Sequence, residues 1–598
     1  MKHLYLFILS CLVALPLYAE KEEVEEIVSV VSSVPQKMAE INTTIDVIEK
    51  EDLKKLASTN LTSILSGYLG IDASSNGGLG QNTSLFLRGS NSNHTLVKVN
   101  GVKINPSTAG GASISNIDPS LISRIEVGSG PHSSIHGSEA IGGVINISTL
   151  PQEKDSSLQL SVSGGANNYR KEIIQKNWLN KSDSYNVFLL KAKSEGFPSL
   201  IASSIDSGFD NKSLGGSYTS KKSKTETDVS TWISKGRAEY LDFQSNPSSQ
   251  DYENSIHSLN FKFKHKEPYL LYLNLSTSKD LINQNQFNYI NQKDTTETDN
   301  QNVQFMAYSP LGKDFSYIVG YEQEKQKVNY SSFGTRFRKN IKTTSFFIEN
   351  TIQLNKSSVG INVRFSDHDS YGINKSWNIG YKRAFNQKWV FRFNSGSAFR
   401  SPNSSELYGY GSNLNLKPEI SLGQEVALEK IADDSIISLV AFNNKIKDLI
   451  NFDFDENILK NISQSTNRGL EVRYIWKNKT INGRFLLRYQ NPKDNLGLQL
   501  LRRSKKSLSA NIYRDLSLGT LNLNLSAFGK KRDFGNLPLP KYHLFNLSFI
   551  SQISDQMDIT IRLENIFDKE YFTASGYNGY YQNQGRSLWL NATYEIRE

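Results

Sequence analysis

The chain has 598 residues, 37% of them hydrophobic and 11% aromatic, with a mean hydropathy of −0.46 and a formal net charge of +9. Beyond the N-terminus no stretch reaches the roughly 18 consecutive apolar residues of a spanning helix, which excludes a helical membrane protein. The basic excess is mild and unclustered, so no nucleic-acid partner is expected. The polarity suits a soluble β-rich protein or a transmembrane barrel, which is polar inside and apolar outside.

Lys2 and His3 precede the apolar run Leu4 to Leu15, and Leu17-Tyr18-Ala19 offers a cleavage site before Glu20. Residues 1–19 therefore read as a secretory signal. The one cysteine, Cys11, lies inside it, which leaves the exported chain without disulfides or thiolate chemistry. Residues 20–35 hold an acidic run, then Glu26-Ile27-Val28-Ser29-Val30-Val31-Ser32, a β-prone stretch ahead of Pro35. Such a stretch is either an ordinary first strand or an edge that a partner captures by strand addition.

Residues 36–152 read as one small mixed α/β domain. Thr44 to Ile48 predicts a strand and Glu51 to Leu56 a helix with acidic residues at its start. Leu61, Ile64 and Leu65 predict a second helix, N-capped by Asn60 and ended by Gly67 to Gly70. The stretch from Leu79 to Ile147 is rich in Gly. Its short apolar runs, Leu85 to Leu87, Leu96 to Val99, Ile125 to Val127 and Val144 to Ile147, alternate with turns at Asn100-Gly101 and Gly130-Pro131.

From about Ser157 the apolar period becomes two. Leu259, Phe261 and Phe263 alternate with Asn260, Lys262 and Lys264; Leu521, Leu523 and Leu525 alternate with Thr520, Asn522 and Asn524. A lipid-facing sheet with a wet interior requires this, and a soluble sandwich shares it. Number disfavours the sandwich, because so many strands in one run have no second core. At roughly 20 residues per strand and turn, residues 153–598 hold about 22 antiparallel strands, the size of a plugged outer-membrane transporter. Lys262 and Lys264 should face the lumen or lie near a rim, since a midplane Lys on the lipid face costs about 2–4 kcal/mol. Leu588 to Ile596 alternates as well and should close the barrel on its first strand.

At this point the residues resemble a family. Phe86-Leu87-Arg88-Gly89, Val99-Asn100-Gly101-Val102, Arg124-Ile125-Glu126-Val127 and the run Gly137 to Ile147 look like the plug motifs of TonB-dependent outer-membrane receptors. Ala398-Phe399-Arg400-Ser401-Pro402, Leu416-Lys417-Pro418-Glu419, Gly469-Leu470-Glu471 and Asn565 to Tyr571 resemble its barrel motifs. The chain departs from the family at Asn100, Ser129, His136 and the non-aromatic Ile596. Within the family it is most similar to the cobalamin receptors, through Asn76 to Gln81, Leu85 to Gly89 and the final strand.

The resemblance implies a monomeric outer-membrane barrel, bathed in lipid and lipopolysaccharide, that imports cobalamin or a related corrinoid. Energy would come from TonB and its inner-membrane complex, capturing residues 26–32 as a TonB box. Gln81, Asn82 and Thr83, with Thr108, Ala109 and Gly110, match substrate-contacting plug loops. Arg88 and Arg124 would lock the plug to barrel glutamates Glu425 and Glu471. No cofactor is required. Asp206, Asp242 and Asp251, in early extracellular loops, are the carboxylates that could hold Ca2+. The histidines His94, His132 and His136 have no metal-site spacing and read as loop residues. Rival readings are a siderophore or haem importer, and a passive porin or surface adhesin. An enzyme such as an esterase is not expected, because no nucleophile–base pair stands out.

Overall fold

The computed structural model describes residues 27–150, 156–242, 244–266, 268–285, 293–478, 480–576 and 579–597. The expected signal at 1–19 and the first residue of the expected TonB box, Glu26, lie outside the described residues. From Ser157–Gly165 to Ser587–Arg597, 22 antiparallel strands form a closed barrel. Closure is in register, with Ser157 opposite Arg597 and Gly165 opposite Trp589, so neither terminal strand is left as an edge. Leu588, Leu590, Tyr594 and Ile596 face outward while Trp589 is buried in the lumen. Lys262 shares the lumen face with Ser258 and Asn260, and pairs with Glu226 at 2.9 Å near the strand end.

The two rims differ. On one, turns such as those after Asn180, Leu354 and Ala432 are two residues long. On the other, residues 401–418 and 565–586 form long loops. Short turns mark the periplasmic rim and long loops the outside.

The plug fills the lumen. Its five-stranded mixed sheet runs Ile45–Glu49, Arg124–Ser129, Gly143–Ser148, Thr95–Val99, Val102–Lys103, with one parallel pairing, between Thr95–Val99 and Gly143–Ser148. Asn100 and Gly101 both have positive φ, 51° and 81°, as a two-residue type I′ hairpin needs. Two helices follow the first sheet strand. Lys50–Leu56 buries Leu53 and Leu56. Leu61–Leu69 is capped by Asn60, whose side chain accepts from the Thr62 amide at 2.8 Å. That helix runs through Gly67 rather than stopping there. It ends at Gly70, whose φ of 61° lets the amide turn back to Leu65. The plug core is completed by the barrel: Ile48, Leu65, Val97, Ile125 and Ile145 share one apolar cluster with Trp232, Ile256 and Tyr513 of the wall.

Candidate transport site between plug and barrel

The N-terminal stretch is stowed against the plug at the periplasmic end. Ile27–Val28 pairs with Gln36–Lys37, and Val28 and Val30 pack with Ile41, Ile45, Leu96 and Val144. The amides of Ser29 and Val30 donate to Glu126 Oε2 at 2.9 and 3.0 Å. Ser32 Oγ donates to Glu349 of the barrel at 3.0 Å, and the Ser33 amide to the same carboxylate at 3.2 Å. His136 Nε2 lies 2.9 Å from the Val30 carbonyl and Nδ1 lies 3.0 Å from Lys98 Nζ, which sets the ring as neutral with its proton on Nε2.

A dense electrostatic seam joins the plug to strands Glu419–Ala432, Ile458–Lys477 and Ile481–Gln490. Arg88 is 2% exposed and sits at φ 42°, a left-handed conformation that a non-glycine residue keeps only when its surroundings over-determine it. Its Nη1 donates to Glu425 at 2.6 Å, its Nε and Nη2 donate to Glu471 at 3.2 Å each, and its guanidinium lies 4.7 Å over the Phe442 ring. Glu471 also accepts from Arg473 at 2.7 Å and Arg488 at 2.8 Å. Glu425 takes the Thr44 amide and hydroxyl at 3.1 and 2.8 Å. Asp46 of the plug receives Arg484 and Arg473. Each of these buried charges therefore has at least one partner of opposite sign, and the four arginines exceed the three carboxylates by one guanidinium.

Arg124 is not at this seam, contrary to the expectation. It lies in the plug sheet opposite Glu49 and two residues before Glu126, and among the described residues it pairs with both, at 3.0 and 3.1 Å. Cross-strand and i, i+2 neighbours on one face are the nearest partners a strand offers.

A second cluster was missed. His94, expected in an open loop, is fully buried, with Nε2 2.8 Å from Glu419. Arg400 binds the same carboxylate and grips Glu406 bidentately at 2.9 Å each. The signal was present in the barrel motifs, which contribute Arg400 and Glu419. What hid the contact was the 325-residue separation of His94 from Glu419.

The opposite wall borders a cavity lined by many polar side chains. That cavity, of about 190 Å³, runs from Ser29 and Ser33 to Pro402 and Asn403, between the plug and lumen residues such as Asn260, Asn274, Asn302 and Gln326. Lys103 spans it, 3.1 Å from plug Glu139 and 3.1 Å from barrel Glu324. Burial pushes Glu139 up to about 7. On the other side of the plug, burial holds His132 down to about 4.

The expected ligand loops are partly occupied by the protein itself. Gln81 is buried, its amide donating to the Glu239 carbonyl; Thr108 and Gly110 are buried, and the Thr108 carbonyl accepts from Ser405. Asn82 and Ala109 are exposed and Thr83 is half-buried. Of the three loop carboxylates, Asp251 is bound by Arg237 at 2.7 Å and Asp242 accepts two amides of its own turn, from Gln244 and Asn246. Asp206 forms an isolated bridge with Pro198. Among the described residues no three His, Cys, Asp or Glu are grouped to hold a metal ion.

A closed 22-strand barrel filled by a plug, with a stowed N-terminal strand, defines an outer-membrane receptor of the gated kind. Comparison with known proteins agrees. Residues 200–566 match the model of the TonB dependent receptor-like β-barrel, and residues 37–144 that of the TonB-dependent receptor plug domain. The chain belongs to the TonB-dependent receptor family and is a TonB-dependent transporter of the bacterial outer membrane. It is 28% identical over 575 residues to the vitamin B12 transporter BtuB of Vibrio vulnificus, covering 92% of each chain. It is 26% identical over the same span and coverage to the protein of that name from Photobacterium profundum. Among solved structures, the ferric enterobactin receptor PfeA of Pseudomonas aeruginosa superposes with a TM-score of 0.79 at 17% identity, over 93% of this chain and 100% of that one. The FrpB iron transporter of Neisseria meningitidis gives 0.80 at 13%, over 93% and 99%. At those identities the likeness is one of fold.

Proposed function

We propose that this transporter carries cobalamin or a related corrinoid inward, and that residues 26–32 are the TonB box through which the import is energised. The observation that carries the reading is similarity along 92% of both chains to proteins named as vitamin B12 transporters. Two features of the molecule support it. Asn82, Thr83 and Ala109 offer an amide, a hydroxyl and a small side chain at the plug surface, which suits a large ligand rimmed with amides. The polar cavity, at about 190 Å³, is below the about 300–1,000 Å³ of ordinary ligand pockets, so a corrin passes only when the plug shifts. Pulling on the stowed strand supplies that shift, an order–disorder change of a bound segment.

Titration of purified protein with cyanocobalamin tests the cargo, with and without Ca2+ because Asp206, Asp242 and Asp251 are the loop carboxylates expected for that ion. Saturable binding at micromolar ligand or below is expected. Absence of binding, with binding of a ferric siderophore or haem in its place, assigns a different cargo to the same machine. Deletion of residues 26–32 should abolish cellular uptake while leaving binding intact; uptake that survives the deletion marks a passive pore.

A further inference from the structure

The barrel wall beside the polar cavity carries a group of buried oxygens that the transport reading leaves unused. Asp280, on the lumen face of strand Tyr269–Asn285, is 7% exposed. Its Oδ2 accepts from Asn254 Nδ2 at 2.8 Å, and Asn254 Oδ1 accepts from Asn116 Nδ2 of the plug at 3.0 Å. Among the described residues its Oδ1 makes no hydrogen bond of good geometry; the plug's Ser113 is the other polar side chain acting on the carboxylate, and no Lys or Arg is among those groups. Thr298 lies directly opposite Asp280 on the next strand and Asn300 two residues further on the same face; they are 2% and 5% exposed. Thr298 Oγ1 and Asn300 Oδ1 also lack partners. Side chains directly opposite on paired strands start about 4.5–5.5 Å apart at Cβ, and diagonal ones about 7–8 Å. A carboxylate, a hydroxyl and an amide oxygen thus stand as buried neighbours on one face of two paired strands.

A buried carboxylate is costly unless a positive charge joins it. Here the protein supplies none, and the three atoms are hard oxygens of the type that alkali and alkaline-earth ions select. One formal negative charge is neutralised by a monovalent ion, whereas a divalent ion would leave net charge buried. Asn300 also lines the polar cavity, which provides a route of entry. We propose that Asp280, Thr298 and Asn300 bind a small monovalent cation, sodium or potassium. The bound ion fastens this wall, through Asn254, to the plug turn Ile114–Asn116.

Hydrogen exchange of the peptide covering residues 111–118, in full-length purified protein, tests this in sodium, potassium and choline chloride at equal ionic strength. Exchange should slow about tenfold in sodium or potassium relative to choline, once the ion reaches about ten times its Kd. Asp280→Asn should erase the difference and Thr298→Val should shrink it. Asn300→Asp adds a second charge and should make the segment respond to calcium. Equal exchange in all three salts overturns the proposal, as does an Asp280→Asn protein that keeps the salt response. Protection that follows pH but not the cation assigns the spot to a protonated carboxyl and overturns it too. If Asp280→Asn does not fold, Asn300→Asp decides: no new calcium response means no cation site.

Discussion

The plug meets the barrel along two unlike seams. On the Arg88 side, four guanidiniums (Arg88, Arg473, Arg484 and Arg488) interleave with Glu425, Glu471 and Asp46, and all seven side chains are 8% exposed or less. On the Lys103 side, one ammonium bridges Glu139 and Glu324 across a polar gap, with side chains 15–20% exposed. Unpairing a charge in the first seam leaves its partners buried in low dielectric; unpairing one in the second lets water take over. The N-terminal strand is anchored on Glu349, in strand Thr335–Leu354, which belongs to the cavity wall. On the proposed reading, force applied to that strand would act on this wall, where Arg364 also holds the plug through the Ile135 carbonyl at 3.1 Å, and the Arg88 seam would be the side that stays closed.

The comparison is broken most directly by exchanging the two cations. Arg88→Met should destabilise the seated plug by about 3–5 kcal/mol, because buried Glu425 loses the guanidinium paired with it, while Glu471 keeps Arg473 and Arg488. Lys103→Met should cost less than Arg88→Met, because Glu139 and Glu324 border the cavity and Glu139, already raised to about 7, can take up a proton. Planar-bilayer conductance and hydrogen exchange across the plug measure both. Frequent openings are expected for Arg88→Met and few for Lys103→Met, and the reverse order would place the closed side on the other wall.

Next in size is release of the stowed strand. Glu349→Gln should weaken the hold on Ser32 and Ser33, and Glu126→Gln the hold on Ser29 and Val30. Hydrogen bonds to a charged group contribute about 1.5–3 kcal/mol. A spin label at Ser29 should become mobile in the double variant without ligand. If it stays as immobile as in the native chain, apolar packing of Val28 and Val30 is the true anchor.

Acidity separates the seams by sign. His132, beside Glu425 and Arg88, is held near 4 by burial, below the usual 6.5. Its contribution to stability is complete above about pH 6.5 and is lost as the pH falls toward 4. Glu139, on the cavity side, is raised by burial to about 7, above the usual 4.5. Its contribution is complete below about pH 4.5 and is lost as the pH rises toward 7. Exchange measured peptide by peptide between pH 4.5 and 7 should show Glu139→Gln flattening the pH slope of the cavity side alone, and His132→Asn that of the Arg88 side alone.

How much of this was legible in the sequence depended on range. The barrel could be read because period-two alternation is local, as in Leu521 to Leu525 and Leu588 to Ile596. The pairing of Arg88 with Glu425 and Glu471 came through motif resemblance, since no local rule links residues more than 300 apart. Arg124 misled because an arginine in an apolar strand looks costly until its face is known. Glu126 two residues on and Glu49 across the sheet were the neutralising partners, and the i, i+2 pattern could have shown the first. The Lys103 seam had no signature at all, because a gap is a property of distant surfaces that fail to meet.

The smallest expected effect sits where the plug touches the cavity wall by a turn. Asn100 adopts φ 51°, takes the Thr149 amide on Oδ1 at 2.8 Å, and donates through Nδ2 to Thr149 Oγ1 at 2.9 Å and to barrel Ser230 at 3.3 Å. Asn100→Gly keeps the left-handed conformation but removes those bonds, whereas Asn100→Asp keeps the acceptor and loses the donor to the barrel. Each neutral bond contributes about 0.5–1.5 kcal/mol. Asn100→Asp should therefore cost about 1 kcal/mol in plug exchange protection and Asn100→Gly somewhat more. Both should fall well short of Arg88→Met. If Asn100→Asp instead matches Arg88→Met, the cavity wall bears load through this turn, and the two seams share the plug rather than dividing into a closed side and an opening side.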